Sequence, residues 1–159
     1  MDRFVTSPLD SKPLDSKPLD SKPLTLPSPP GGEGKVEVVA AVIEREGRIL
    51  IARRPAALHL GGLWEFPGGK QKEGESAREA LEREIREELG ADVTVGALLE
   101  TVDWSYPEKR VRLSFFRCSI AGEPHPLEGQ EIAWVQPSDL GRYEFPPADA
   151  ALIERLRLG

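Results

Sequence analysis

Glu84, Glu87 and Glu88 are the residues of this chain whose type and spacing could do chemistry. They lie in a run from Ser76 to Leu89 that contains neither Gly nor Pro, is rich in Glu, Ala, Arg and Leu, and stops at Gly90. Such a run predicts a helix, with Ser76 as its N-cap and Gly90 as its C′ residue. At ~100° per residue with Glu84 as zero, Glu87 and Glu88 fall at ~−60° and ~40°. The three carboxylates therefore share one face, beside an apolar stripe of Leu81, Ile85 and Leu89. Ala77 and Ala80 precede them on that face, where small side chains are expected to leave room for something bulky. Glu79, Glu82 and Arg86 fall on the opposite side, as a solvated face requires. Carboxylates one turn apart repel each other, and more strongly when partly buried. A divalent cation relieves that repulsion. Hard oxygen ligands select magnesium or manganese, which keep waters and bridge substrate phosphates. An ordinary solvated helix would satisfy the same pattern, so the flanking residues must decide.

The elements that would position this helix follow from periodicity and turn chemistry. Val36 to Glu44 and Arg48 to Arg53 are β-rich runs joined at Glu46-Gly47, a hairpin-like turn. Arg54 to Lys70 holds two Gly-Gly pairs and two prolines and reads as loop, with a short extended piece at Trp64-Glu65-Phe66. Asp92 to Tyr106 and Arg110 to Ile120 are strand candidates around a Pro107-Glu108-Lys109 turn. Ile132 to Gln136 is a short strand, and Pro147 to Leu158 a closing helix with Leu152, Ile153 and Leu156 as its apolar stripe. Strands, helix, strands, helix predict an α+β fold, a mixed sheet with helices packed on it.

Residues 1–34 stand apart. From Ser7 they repeat a five-residue unit, SPLD, SKPLD, SKPLD, SKPLT, and they carry much of the chain's proline but one aromatic, Phe4. Proline at every fifth position removes amide donors and blocks helix, which predicts extended or disordered chain. A proline-rich docking segment and translated upstream sequence, with the native start near Lys35, are the two further readings. The folded domain is expected over residues 35–159.

Composition closes off several function classes. Lys and Arg total 21 against 27 Asp and Glu, for a net charge of −6. A duplex-DNA binder needs a basic footprint, so no stable nucleic-acid partner is expected. A single cysteine, Cys118, excludes an intrachain disulfide and a multi-thiolate zinc site. The longest apolar run, Val38 to Ile43, is too short to cross a membrane, and no secretory signal opens the chain. A cytoplasmic protein is expected. Oligomeric state leaves no mark in the sequence.

The segment before the helix, Trp64-Glu65-Phe66-Pro67-Gly68-Gly69-Lys70, ends in a tight loop where backbone can approach a ligand. From Gly69 the chain runs G-x5-E-x7-R-E-I-x-E-E-x-G-A, through Gly69, Glu75, Arg83, Glu84, Ile85, Glu87, Glu88, Gly90 and Ala91. This resembles the signature of the Nudix hydrolases at every position but the last, where Ala91 replaces a larger aliphatic. Within that family residues 35–159 resemble the MutT-type nucleotide-pool enzymes. Ala52-Arg53-Arg54, Leu63 to Lys70, Glu128-Gly129-Gln130 and Phe145-Pro146-Pro147-Ala148-Asp149 carry that closer match.

The resemblance implies an α/β/α sandwich and hydrolysis of a nucleoside triphosphate to monophosphate and pyrophosphate. The carbonyl of Gly68 and the carboxylates of Glu84, Glu87, Glu88 and Glu128 would hold magnesium, and Glu84 or Glu87 would deprotonate the attacking water. Arg83 would hold the glutamates in place. Gly69, Glu75 and Gly90 would be structural, with Glu75 bracing the loop–helix junction. Arg54, Glu65, Tyr106 and Asp149 match positions near the nucleobase. Asp149 departs from MutT itself, which has asparagine there. Asparagine donates and accepts, matching 8-oxoguanine, whereas an ionised aspartate only accepts and suits the amino group of cytosine equally well. Asp149 could also simply cap the last helix. The implied substrate is 8-oxo-dGTP, with CTP or a modified cytidine triphosphate as the alternative. ADP-ribose or dinucleoside polyphosphate cleavage, to which Pro107 points, is a third reading. A non-catalytic recognition domain, which tends to lose the box carboxylates, is a fourth.

Overall fold

The computed structural model describes residues 35–56 and 61–159. The expectations for residues 1–34 lie outside the described residues. Among the described residues the chain divides into two units, one comprising Val36–Trp104 and Val111–Gly159 and the other containing Ser105–Arg110.

In the larger unit the chain forms a hairpin of β1 (Lys35–Arg45) and β2 (Arg48–Arg53). Its two-residue turn, Glu46-Gly47, has φ of 53° and 77°, the geometry whose twist matches the flanking strands. Arg45 accordingly faces Arg48 across the hairpin. After β3 (Trp64–Glu65) comes β4 (Gly68–Lys70), a strand inside the stretch expected to be loop. It pairs with β1, Ala40 opposite Gly68 and Val39 opposite Gly69. The pairing needs glycine: a methyl at Gly68 would overlap the Val39 carbonyl.

Helix α1 (Ala77–Leu89) is followed by β5 (Asp92–Ser105), β6 (Arg110–Ala121), β7 (Glu131–Val135), a 3-10 turn at Pro137–Arg142, another at Pro147–Asp149, and α2 (Ala150–Leu158). The described strands make one seven-stranded sheet in the order β3-β2-β1-β6-β5, with β4 on β1 and β7 on β2. Partners rise together along β1 and β6. Glu37 meets Arg112 at 3.7 Å, Glu44 pairs with Arg117, and Arg45 donates to the Ile120 carbonyl at 3.0 Å. Those strands therefore run parallel, whereas β1 and β2 are antiparallel, and the sheet is mixed.

Alternation along β1 feeds two cores. Val39, Ala41 and Ile43 pack under α1 with Leu81, Ile85 and Leu89. Ala40 and Val42 face the other way, toward Phe66, Phe115, Leu140 and Leu152 of α2. Residues i and i+2 of a strand share a face, so a strand apolar at every position must be covered on both sides. Helix, sheet and helix are the result. Ala80 is fully buried in the first core, so the space expected beside the carboxylates is filled by the sheet instead. Cys118 lies in the same core, where burial pushes its thiol up to about 11. None of the helices among the described residues is long and apolar enough to cross a membrane.

Candidate active site

Helix α1 starts on Ser76, whose hydroxyl accepts from the Glu79 amide at 3.1 Å while the Glu79 carboxylate accepts from the Ser76 amide at 2.9 Å. Glu79 is on the solvated face as expected and, in addition, closes a capping box. That motif was legible as Ser-x-x-Glu and is the sequence signal that was missed. The helix ends on Gly90, in the left-handed region at φ 64°, with its amide on the Arg86 carbonyl.

Between these caps, Arg83 organises the box. Its Nε and Nη2 donate to the two oxygens of Glu75 at 2.6 and 3.0 Å, a bidentate pair. Nη1 reaches Glu84 at 3.0 Å and Glu87 at 3.5 Å, and Nη2 also reaches the Lys70 carbonyl at 3.0 Å. Glu75 receives the Lys72 amide as well, at 2.8 Å, so one carboxylate ties the β4–α1 loop to the helix. Hydrogen bonding from Arg83 holds the Glu75 carboxyl down at about 2. Burial alone would lower the Arg83 pKa, but the bonds it donates to Glu75 and the Glu84 charge raise it. Arg83 is a fixed cation.

Glu84 packs its carboxylate against Gly69, where any side chain would overlap it. Burial raises its pKa; Arg83 opposes the shift, and the Glu87 charge adds to it. Glu88, one turn on, shares a side-chain hydrogen bond with Glu84 and is pushed well above the usual carboxylate range, by burial first and then by the charges of Glu84, Glu128 and Glu65. Glu87 is outermost, its side chain 54% exposed. Carboxylates one turn apart, drawn out of water and held by one arginine, are hard oxygen donors of the kind a divalent cation takes, although among the described residues no three acidic side chains already converge as a metal site. Glu84, packed on Gly69, and Glu88, whose carbonyl fastens the Glu128 loop through Gln130, are the groups that would hold one.

Of the nucleobase candidates, Glu65 connects with Arg54, Asp149 and this cluster, whereas Tyr106 lies in the other unit. Trp64 and Phe66 flank it and turn into the α2-side core: Trp64 lies edge-on to Tyr143 with ring centroids 5.2 Å apart, and Phe66 stacks on Phe145 at 5.2 Å. Glu65 accepts from Arg54 at 3.1 Å, and its charge acts on Glu88 and on Asp149 alike. Asp149 stands at the N-terminus of α2 but makes no capping bond. Only 5% exposed, its carboxyl has no hydrogen-bond partner among the described residues. Burial, with Glu65 adding, raises its pKa to about 7. Tyr106 lies in the turn of the smaller unit, where its amide and carbonyl exchange bonds with Lys109, and its link to the base rests on the resemblance. A cleft of about 830 Å³ beside the β1–β2 turn, lined by Arg48, Arg117 and Arg155, holds none of these residues.

Gln130, the last residue of the Glu128-Gly129-Gln130 stretch, ties that stretch to the helix. Gln130 donates from Nε2 to the Glu88 carbonyl at 3.1 Å and accepts the Glu128 amide at 2.9 Å.

Comparison with known proteins places this arrangement. A NUDIX domain model matches residues 38–155. The CTP pyrophosphohydrolase of Escherichia coli K12 is 42% identical over 120 residues, covering 75% of this chain and 89% of that protein. The 8-oxo-dGTP diphosphatase of Haemophilus influenzae is 38% identical over 123 residues, covering 76% and 90%. Among solved structures, the solution structure of the E. coli ORF135 protein superposes with a TM-score of 0.71 at 41% identity, covering 79% of this chain and 91% of that one. With the box carboxylates, their arginine clamp and the covered mixed sheet in one chain, the protein belongs to the Nudix hydrolase family, on its MutT-like side.

Proposed function

We propose that this chain is a magnesium-dependent nucleoside triphosphate pyrophosphohydrolase that removes 8-oxo-dGTP from the cytoplasmic nucleotide pool as 8-oxo-dGMP and pyrophosphate. The observation that carries the reading is the box geometry: Glu84 packed on Gly69 and held at 3.0 Å by Arg83, which is itself clamped on Glu75, with Glu87 and Glu88 on the same helix face. On this reading the phosphates bind at the helix and the base at Asp149.

The Gly68 carbonyl and Glu84, Glu87, Glu88 and Glu128 are the assigned ligands, with manganese as the alternative ion. Magnesium, when bound, neutralises the triphosphate and acidifies water. Arg83 keeps Glu84 and Glu87 oriented, and one of those two carboxylates takes the proton of the water that attacks the β-phosphorus. The bond from that phosphorus to the α–β bridging oxygen breaks, and the nucleoside monophosphate leaves. Separate Glu84→Gln and Glu87→Gln variants distinguish the two candidate bases by which one abolishes turnover while retaining nucleotide binding.

For the base, an aspartate titrating near neutrality is an asparagine mimic when protonated: it can donate to a purine carbonyl and accept the N7–H of 8-oxoguanine. A second reading is favoured by the same residue. Ionised Asp149 is an acceptor for the amino group of cytosine, and the E. coli relative at 42% identity is named for CTP. Arg54 fixes Glu65 beside it, and Tyr106 is assigned to the base by resemblance. Catalysis is assigned to residues 35–159.

The test is magnesium-dependent pyrophosphate release from 8-oxo-dGTP, dGTP, CTP and 5-hydroxy-dCTP, with ADP-ribose and diadenosine tetraphosphate scored for the nucleoside monophosphate they would release. Selective turnover of 8-oxo-dGTP supports the first reading. Preference for the cytidine nucleotides supports the second and leaves the chemistry intact, and cleavage of the last two alone overturns both. Removing residues 1–34 should leave kcat/KM unchanged; a large change would make the repeat part of the working enzyme.

A further inference from the structure

The loop between β6 and β7 carries Glu128, and it is held by the end of α1. A helix leaves its last carbonyls without intrahelical partners. Here the His125 amide donates to the Leu89 carbonyl at 2.8 Å and the Leu127 amide to the Glu88 carbonyl at 3.0 Å. Those two bonds fix the chain before Glu128. After it, Glu131 begins β7, paired with Arg53 of β2. Glu128 and Gly129 bridge the two anchors, and the Gln130 side chain is what fastens that bridge. Its Nε2 donates to the Glu88 carbonyl at 3.1 Å, and its Oε1 accepts the Glu128 amide at 2.9 Å.

We propose that Gln130 is a positioning residue that seats the Glu128 carboxylate against Glu88 and so completes the cation-binding set. The inference rests on the reading of Glu128 as a ligand. Glu88 serves both ends of the device: its carboxyl belongs to the cluster, and its carbonyl is the post to which the Glu128 loop is tied. Leu127 and Gln130, on either side of Glu128, both end on the Glu88 carbonyl, so the chain carrying Glu128 is fastened at Glu88. A primary amide of this length donates to one backbone group and accepts from the other at once. Glutamate at 130 would keep the acceptor, lose the donor and set a charge against a carbonyl. Methionine keeps the length and loses both bonds. The anchors at His125, Leu127 and Glu131 survive either change, so the effect is local to Glu128.

The experiment is direct Mn²⁺ binding to the full chain without nucleotide, read by the EPR signal of free Mn²⁺. It is run on the wild type, Gln130→Met, Gln130→Glu, Glu128→Gln and the Gln130→Met/Glu128→Gln double variant, with thermal melting alongside. Outer residues that orient ligands are worth roughly ten- to a hundredfold in metal affinity, and a loss of roughly tenfold is expected in Gln130→Met. The double variant should bind no more weakly than Glu128→Gln alone, because the loop then has no carboxylate to seat. Full Mn²⁺ affinity in Gln130→Met, or losses that simply multiply in the double variant, would overturn the proposal. If Glu128→Gln itself binds Mn²⁺ normally, Glu128 leaves the ligand set and the proposal goes with it, while the assignment of Glu84 and Glu88 stands. A melting temperature that falls in parallel with affinity would make Gln130 a residue of the fold only.

Discussion

Replacing Asp149 with asparagine converts the burial of one carboxyl into a pH dependence that can be measured. The group is 5% exposed and unpartnered among the described residues, and its pKa is raised from 3.8 to about 7 by burial and the Glu65 charge. Between those values the folded protein holds a proton that the unfolded chain has released. A raised acid therefore costs stability: nothing well below pH 3.8, more as pH climbs, and a constant amount above about pH 7. At about 1.4 kcal/mol per pKa unit, the full cost at pH 8 is about 4 kcal/mol, of which under half has accrued at pH 5. Asparagine has nearly the same shape and cannot ionise. The stability of Asp149→Asn relative to the wild type should accordingly improve by about 2–3 kcal/mol between pH 5 and pH 8. Urea melts at several pH values and constant ionic strength give the difference, with equal m-values as the check that the unfolded state has not changed. Wild-type and variant stabilities that run parallel across that range would refute the reasoning. They would mean that water or a rearranged partner solvates Asp149.

Other perturbations read other parts of the site. Glu84→Gln should cut turnover by at least about a hundredfold while leaving a folded protein, since it removes one of two like charges from a buried pair; stopped or coupled pyrophosphate assays and circular dichroism separate the two effects. Arg83→Met should lose about 2–3 kcal/mol near neutrality through its bonds to Glu75, and the deficit should shrink as pH falls from 4.5 toward about 2, where Glu75 protonates in the wild type too. Chemical melts along that acid limb check the sign. Gly69→Ala should displace the Glu84 carboxylate and reduce turnover more than stability, which kcat and melting temperature together report. Ser76→Ala removes one side of the capping box and should cost about 1 kcal/mol, with activity retained.

The helix and its chemistry were legible locally. A run without Gly or Pro, bounded by Ser76 and Gly90, specifies α1, and i, i+3, i+4 spacing puts three carboxylates on one face whatever the helix packs against. The unbroken apolar run Val38 to Ile43 in β1 likewise required both sheet faces to be covered. What spacing could not supply is distance between segments far apart in the chain. Ala80 looks like open space on a helical wheel and is core, because the wheel does not contain the sheet. Gly68 to Lys70 looks like loop and is strand, because the pairing that makes it one lies with Val38 to Ala40. Asp149 carries its departure from asparagine in the sequence, but whether it is a capped, solvated acid or a buried, unpartnered one depends on Glu65 and the α2-side core. Gln130 is one polar residue among many until the end of α1 arrives beside it. Side-chain type and helical period are properties of the chain, whereas burial, field and hydrogen-bond partners are set by whatever the fold brings alongside.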